Sequence, residues 1–265
     1  MRLKLILQTT PNSVLAYSYH FALRAVIYKV LKNADPVFSA WLHDKGYEVS
    51  GSKAFKLFTF DELRGKPFRY NNEQKRLTFT SGIVEWTVSF CVDQQMEKFV
   101  EGLFKNQTLE VVADGTKVVF EVKGVEIEKP PQFTETMRFR IRTGICLTEK
   151  EETQRNAQFR YPSDANFKDL FFRNLIAKTQ AMLQNKNTTT PPDILGRGQH
   201  LNLKILTKYR KWSVVEPDDN SPKPIRTIGS AFNFEITAPV EWLEISFAAG
   251  FGGKCSSGFG FCEVL

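Results

Sequence analysis

The sequence predicts an α+β fold made of two tandem ferredoxin-like (RRM-like) domains, residues 1–128 and 133–265. Three observations lead there. Residues 1–127 read in the order strand, helix, strands, helix, strand, the period of the apolar residues switching between 2 and 3.6 as the order requires. The same order returns from residue 135 onward without visible identity between the halves, so the repeat is one of architecture. Between the halves stands Lys129-Pro130-Pro131-Gln132, a proline-rich linker.

Each element has its own signal. Met1–Leu7 alternates like a strand, and Pro11-Asn12-Ser13 makes a turn. A helix runs from about 18 to 32 with Leu23, Val26, Ile27, Val30 and Leu31 on its buried face. His20, Arg24, Tyr28 and Lys32, four apart, form a ladder outside that face, either a solvated stripe or a ligand surface. Asp35-Pro36 opens a second helix, the acid as N-cap and proline at its first position; Val37, Phe38, Trp41 and Leu42 bury it. Gly46 ends it at C′, which leaves His43 in the last turn, where the helix dipole favours an imidazolium.

Residues 53–60 form a strand with Lys56 on the face of Phe58 and Phe60. A hairpin joins 66–70 to 76–80, a strand covers 82–91, and an amphipathic helix at 93–104 carries Met96, Phe99, Val100, Leu103 and Phe104. Strands at 108–113 and 117–127 complete the first half. The second has a strand at 135–147, a helix at 165–184, strands at 201–209, 212–215 and 225–236, a short helix at 240–247 and a last strand from Phe261. In the strand at 135–147, Arg138, Arg140 and Arg142 alternate onto one face, a stripe that is either solvated or suited to a nucleic-acid backbone.

With 265 residues, 42% hydrophobic and 25% charged, the chain has the composition of a globular protein and length for two domains. Its net charge of +7 and pI near 9.2 favour a polyanionic partner. Cys91, Cys146, Cys255 and Cys262 show no CxxC spacing; with no secretory signal they read as reduced thiols of a cytoplasmic protein. No apolar run has the length of a membrane span. No carboxylate cluster suggests a two-metal nuclease and no His/Cys spacing suggests zinc, so neither metal nor cofactor is expected, nor a small-molecule substrate.

The chain's most distinctive stretch is 250–260, with five glycines in eleven positions: Gly250, Gly252, Gly253, Gly258 and Gly260. Such a backbone can bring its N–H groups to a phosphate, with Lys254, Ser256 and Ser257 adding a charge and two hydroxyls. It does not feed into a helix as a Walker loop does, and no βαβ unit follows it. The alternative is an ordinary turn before the last strand.

Together, Ala25-Val26-Ile27-Tyr28, Trp41-Leu42-His43-Asp44-Lys45-Gly46-Tyr47 and Lys56-Leu57-Phe58-Thr59-Phe60 resemble the N-terminal signature of the Cas6 family, the CRISPR-associated endoribonucleases that cut repeat RNA into guide RNAs. The glycine-rich stretch is similar to that family's loop in the same place, so the resemblance spans essentially the whole chain; the loop is shared by a wider superfamily of CRISPR RNA-binding proteins. Arg142-Thr143-Gly144 departs from the Ser-Pro that the family often carries there, which weakens the match mid-chain without touching the catalytic positions. The resemblance implies cleavage by the substrate's own 2′-hydroxyl, leaving a 2′,3′-cyclic phosphate without a metal. It implies Tyr28 as base or positioner of the nucleophile, His43 as general acid or proton shuttle, and Lys56 as stabiliser of the phosphate. It further implies that Arg24, Arg138, Arg140, Arg142 and the loop (Gly250, Gly252, Gly253, Lys254, Ser256, Ser257, Gly258, Gly260) bind CRISPR repeat RNA, with a CRISPR effector complex as a further partner. Tyrosine is a poor base at its ordinary pKa, so either neighbouring cations lower it or the residue only orients the nucleophile. His20 is the rival histidine. A non-catalytic RNA-binding subunit of an effector complex is the competing reading, and the set Tyr28, His43, Lys56 favours the enzyme. An ordinary RNA-recognition protein would carry an aromatic strand motif of the RRM kind, which is lacking here.

Overall fold

The computed structural model describes residues 1–49, 53–65, 68–150, 156–185, 201–217 and 223–265. Five helices are found among them: α1 (His20–Ala34), α2 (Pro36–Asp44), α3 (Asp93–Lys105), α4 (Phe167–Asn185) and α5 (Val240–Ala249).

The first sheet has five strands in the order Phe58–Phe60, Ile83–Phe90, Arg2–Gln8, Thr116–Glu128, Thr108–Ala113, antiparallel throughout. The N-terminal strand is central because every second residue is apolar: Leu3, Leu5 and Leu7 face Val88, Trp86 and Val84 across the register and are buried. Lys4, on the opposite face, pairs with Glu126 at 2.6 Å. α1 and α3 cover the inner face, and Gly102 of α3 sits so close to the Val30 carbonyl that a β-carbon would lie 1.9 Å from it.

The second sheet runs Asn202–Ile205, Asn233–Thr237, Thr136–Ile141, Cys262–Val264, again antiparallel. Met137 and Phe139 face Ile236 and Phe234, and α4 and α5 cover this layer. In the second half the strand that begins the unit lies between the third and the fourth, with the second strand beyond the third; in the first half Thr116–Glu128 takes the fourth place and Thr108–Ala113 pairs on its outer edge as an added strand. That is the ferredoxin-like arrangement, and it occurs twice in tandem.

Several predicted elements are interrupted. The strand at 53–60 breaks into Lys53–Phe55 and Phe58–Phe60, because Leu57 adopts a left-handed φ of 53°. The alternation therefore does not run through the break, and Lys56 leaves the face of Phe58 and Phe60. The strand at 135–147 stops at Ile141 and resumes as Leu147–Glu149. The strand at 225–236 divides at Phe232 into Ile225–Ala231 and Asn233–Thr237, which belong to different sheets. The first of these pairs antiparallel with Arg210–Glu216 in a two-stranded sheet that reaches α1. Residues 66 and 67 of the expected hairpin lie outside the described residues. Val37 and Phe104, expected to be buried, are exposed. No described helix is long and apolar enough to cross a membrane.

Candidate active site and nucleic-acid interface

The end of α2 is fixed as its capping residues dictate. The Asp35 side chain accepts a hydrogen bond from the Phe38 N–H at 2.9 Å, Pro36 occupies the first turn, and the Gly46 N–H donates to Trp41 O at 3.0 Å with φ of +73°. His43 thereby projects from the last turn beside α1. Its ring stands edge-on to Tyr28 at 5.0 Å between centroids, and its Nδ1 lies 2.8 Å from Asp44 Oδ1. With its side chain 63% exposed, His43 is reachable by a large substrate.

Lys56 approaches the same place. Its carbonyl accepts a hydrogen bond from Gln95 Nε2 at 2.6 Å, and its ammonium lies 3.2 Å from where a β-carbon on Gly46 would stand. A side chain at 46 would displace it. Burial lowers the Lys56 pKa and the Asp44 carboxylate acts in the opposite direction. Tyr28 is half-buried against Phe58, and burial pushes its phenol up to about 12, Arg24 only partly offsetting this. Near neutral pH Tyr28 therefore keeps its proton. The fold thus gathers Tyr28, His43 and Lys56 at one corner, and adds Asp44, whose adjacency to His43 in sequence was its only signal.

His20 does not belong to this group. The ladder along α1 is split because the strand Arg210–Glu216, paired with Ile225–Ala231, packs on the helix's first turn. His20 is 7% exposed, stacked on Tyr19 and edge-on to Trp212, and burial lowers its pKa to about 4. Arg24, one turn on, donates to Ser257 Oγ at 2.8 Å and faces Glu216 at 3.4 Å, which ties two predicted RNA-binding residues to each other.

The glycine-rich loop is packed more tightly than a bare phosphate cradle would be. The N–H groups of Phe251, Gly253, Ser257, Gly258 and Gly260 donate to protein carbonyls, those of Gly260, Cys146, Lys254, Cys255 and Thr143 respectively. Gly258 has φ of +84° with its missing β-carbon 2.7 Å from the Phe60 ring, and at Gly260 a β-carbon would lie 2.0 Å from Phe251 O. Gly250 and Gly252 are buried as well, so these four glycines are required by the protein's own packing. Lys254 is exposed and Gly253 and Ser256 half-buried, so these face outward. From beneath, Lys178 of α4, 2% exposed, donates to Gly252 O at 2.6 Å and to Gly250 O, and lies 3.3 Å from Cys255 Sγ. No sequence pattern marked Lys178, which sits one turn from apolar neighbours in a helix.

The arginine stripe is shorter than expected. Arg138 and Arg140 point outward from the second sheet, Arg138 pairing with Glu235 at 2.7 Å. Arg142 lies past the strand's end and is half-buried. Its Nε is 3.8 Å from Glu263 and 4.0 Å from Asp61, in a cluster that Arg64 completes by contacting both carboxylates. Asp61, on the first half, is almost fully buried there; burial raises its pKa to about 6 against the pull of Arg64 and Arg142. Arg142 thus joins the two halves.

A doubled ferredoxin-like fold with a glycine-rich loop closing its second unit, and a Tyr–His–Lys corner on the first, defines a class of basic two-unit proteins. The chain belongs within it to the Cas6 family: residues 128–264 match the CRISPR-associated protein Cas6 C-terminal family, and 14–125 match the Cas6 N-terminal family. It is 24% identical over 268 residues to a CRISPR-associated endoribonuclease Cas6 of Methanocaldococcus jannaschii, covering 98% of this chain and 91% of that one. In structure it is similar to a Cas6-related protein from Pyrococcus furiosus, with TM-score 0.77, 17% identity and coverage of 100% and 98% of the two chains. It is similar also to an RAMP protein described as binding different RNA substrates, with TM-score 0.77, 16% identity and coverage of 100% and 99%. A Cas6 product complex aligns with TM-score 0.62, 13% identity and coverage of 100% and 99%.

Proposed function

We propose that this protein is a metal-independent endoribonuclease that binds CRISPR repeat RNA and cuts the precursor transcript into guide RNAs. The observation that carries the reading is the meeting of Tyr28, His43 and Lys56 at one accessible corner. The relative named an endoribonuclease, and the RNA-binding and product-complex titles of the structural relatives, support it.

In this mechanism the 2′-hydroxyl attacks the adjacent phosphorus, the P–O5′ bond breaks, and a 2′,3′-cyclic phosphate and a 5′-hydroxyl result. His43, its Nδ1 held by Asp44, presents Nε2 to the reaction and protonates the departing 5′-oxygen. Tyr28 keeps its proton and orients the nucleophile as a hydrogen-bond donor, the role that its raised pKa favours. Lys56 stabilises the charge that grows on the phosphoryl oxygens, and a phosphate beside it favours its ammonium form. We assign the first ferredoxin-like domain to 1–128, with the catalytic corner, and the second to 133–265, with Lys254, Gly253, Ser256 and the outward Arg138 and Arg140 as its RNA contacts. Arg24, Arg142 and the buried glycines support the binding surface from behind.

One experiment tests the chemistry. A single deoxyribose 5′ of the scissile phosphate should abolish cleavage while leaving binding intact, and unmodified RNA should be cut in EDTA to a cyclic phosphate. A requirement for magnesium, or normal cutting of the deoxy substrate, overturns the mechanism. Binding without any cutting favours the non-catalytic subunit.

A further inference from the structure

Beside Lys56 lies a cavity of about 470 Å³ that the cleavage chemistry leaves unused. Its walls come from both halves: Phe55 and Leu57 on one side, and Leu170 and Asn174 of α4 with the outer edge of the glycine loop on the other. Lys56, Arg173 and Lys254 bring positive charge to it, the last two exposed to solvent. Asn174 is 5% exposed, and its Oδ1 has no hydrogen-bond partner. A leucine of similar size would fill the position without the desolvation cost of an unpaired amide oxygen.

These features call for a ligand with three properties. It carries negative charge for Arg173 and Lys254, a flat apolar body for the Phe55–Leu57 wall, and a hydrogen-bond donor for the amide oxygen. Inorganic phosphate brings the charge but has no flat apolar body for the wall. A nucleotide meets all three, because the base brings its amino or ring N–H groups on its Watson–Crick edge.

We propose that this pocket takes one unpaired nucleotide of the RNA next to the scissile phosphate, its base inserted against Phe55 and Leu57 and donating to Asn174 Oδ1, its phosphate on Arg173 and Lys254. A turn of the amide about χ2, a soft torsion, presents the oxygen to the cavity. The proposal rests on the endoribonuclease reading, because Lys56 belongs to both the pocket and the catalytic corner. It assigns to the pocket the placing of the chain, with the inserted base setting which phosphate meets Lys56.

The test uses repeat RNA made uncleavable by one 2′-deoxy substitution, with an abasic site placed in turn at each of the three nucleotides on either side of the scissile phosphate. Affinity is measured at fixed salt for the full-length wild type and for Asn174→Leu. One abasic position should cost the wild type about tenfold, the scale of a lost stacked and hydrogen-bonded base, and cost Asn174→Leu less than about twofold. Asn174→Leu should melt no lower than wild type, because it removes an unpaired acceptor; a structural asparagine would show a lower Tm. Arg173→Ala, at an exposed position, should weaken every substrate and reduce the salt slope by about one. Equal abasic costs in both proteins, no abasic cost anywhere in the wild type, or a destabilised Asn174→Leu whose partner variant Arg173→Ala binds as wild type, overturns the pocket. If wild type cuts intact repeat RNA while the abasic coupling is absent, the pocket alone fails. If wild type neither cuts repeat RNA nor prefers it to an unrelated RNA of equal length, the underlying reading fails and the pocket with it.

Discussion

Replacing Lys178 with methionine should loosen the glycine-rich loop from below. In the folded protein the ammonium is 2% exposed and bridges the carbonyls of Gly250 and Gly252, the second at 2.6 Å. Methionine has nearly the same length and volume, so the change leaves little cavity and isolates the polar contribution. Two buried carbonyls lose a charged donor, and a buried acceptor left unpaired costs roughly 1–3 kcal/mol. Gly252 O keeps a weak partner in the Cys255 thiol at 3.2 Å, which places its loss at the low end. Against this stands the relief of no longer burying an ammonium, which cancels part of the gain. The lost bonds amount to about 2–4 kcal/mol, and the relief brings the net expectation to about 1–3 kcal/mol of destabilisation. Urea unfolding of wild type and Lys178→Met under one buffer measures it, with unchanged m showing that the denatured state is the same. RNA affinity at fixed salt should fall as well, because Lys254 and Ser256 ride on the segment that Lys178 holds. Equal stability within about 0.5 kcal/mol, the error of such extrapolations, refutes the idea that this ammonium organises the loop.

Other perturbations separate catalysis, packing and binding. His43→Ala should slow single-turnover cleavage by about 10²–10⁴-fold, the range for a lost acid–base group, while His20→Ala changes stability more than rate. Gly258→Ala should destabilise by about 1–3 kcal/mol, since its φ is +84° and the new methyl meets the Phe60 ring, whereas Lys254→Ala should weaken RNA binding with no change in Tm. Thermal unfolding between pH 7 and 4 should show two opposing slopes. His20 has a folded pKa of about 4, below its ordinary 6.5, so its contribution is present above 6.5 and lost as pH falls toward 4, worth about 3 kcal/mol at most. Asp61 has a folded pKa of about 6, above its ordinary 3.8, so its contribution is present below 3.8 and lost as pH rises through 6. His20→Gln should therefore lose less stability than wild type on acidification, and Asp61→Asn should lose more; the reverse order refutes the burial that the two shifts reflect.

The local grammar of the chain sufficed for much of the fold. Alternation at Leu3, Leu5 and Leu7 placed a strand buried on one face, Asp35-Pro36 and Gly46 set both ends of α2, and His43 followed in its last turn, because each is decided by residues within one or two turns. The resemblance of the two ends of the sequence to one family added Tyr28 and Lys56 to His43 before any geometry was known. Tertiary structure decided what depends on residues far apart. His20 and Arg24 read as one ladder, solvated or ligand-binding, because nothing in α1 announces the strands Arg210–Glu216 and Ile225–Ala231 that pack there, some 190 residues away. Arg142 read as part of an outward stripe because the carboxylates that draw it in, Asp61 and Glu263, belong to the other half and to the chain's end. The glycines of 250–260 read as freedom for a ligand, and the structure uses four of them to admit Cys255, Phe60, Ile145 and the backbone of Phe251. A sequence records which residues can pack or carry charge; only the folded chain brings together the distant partners that determine which of those capacities are already taken.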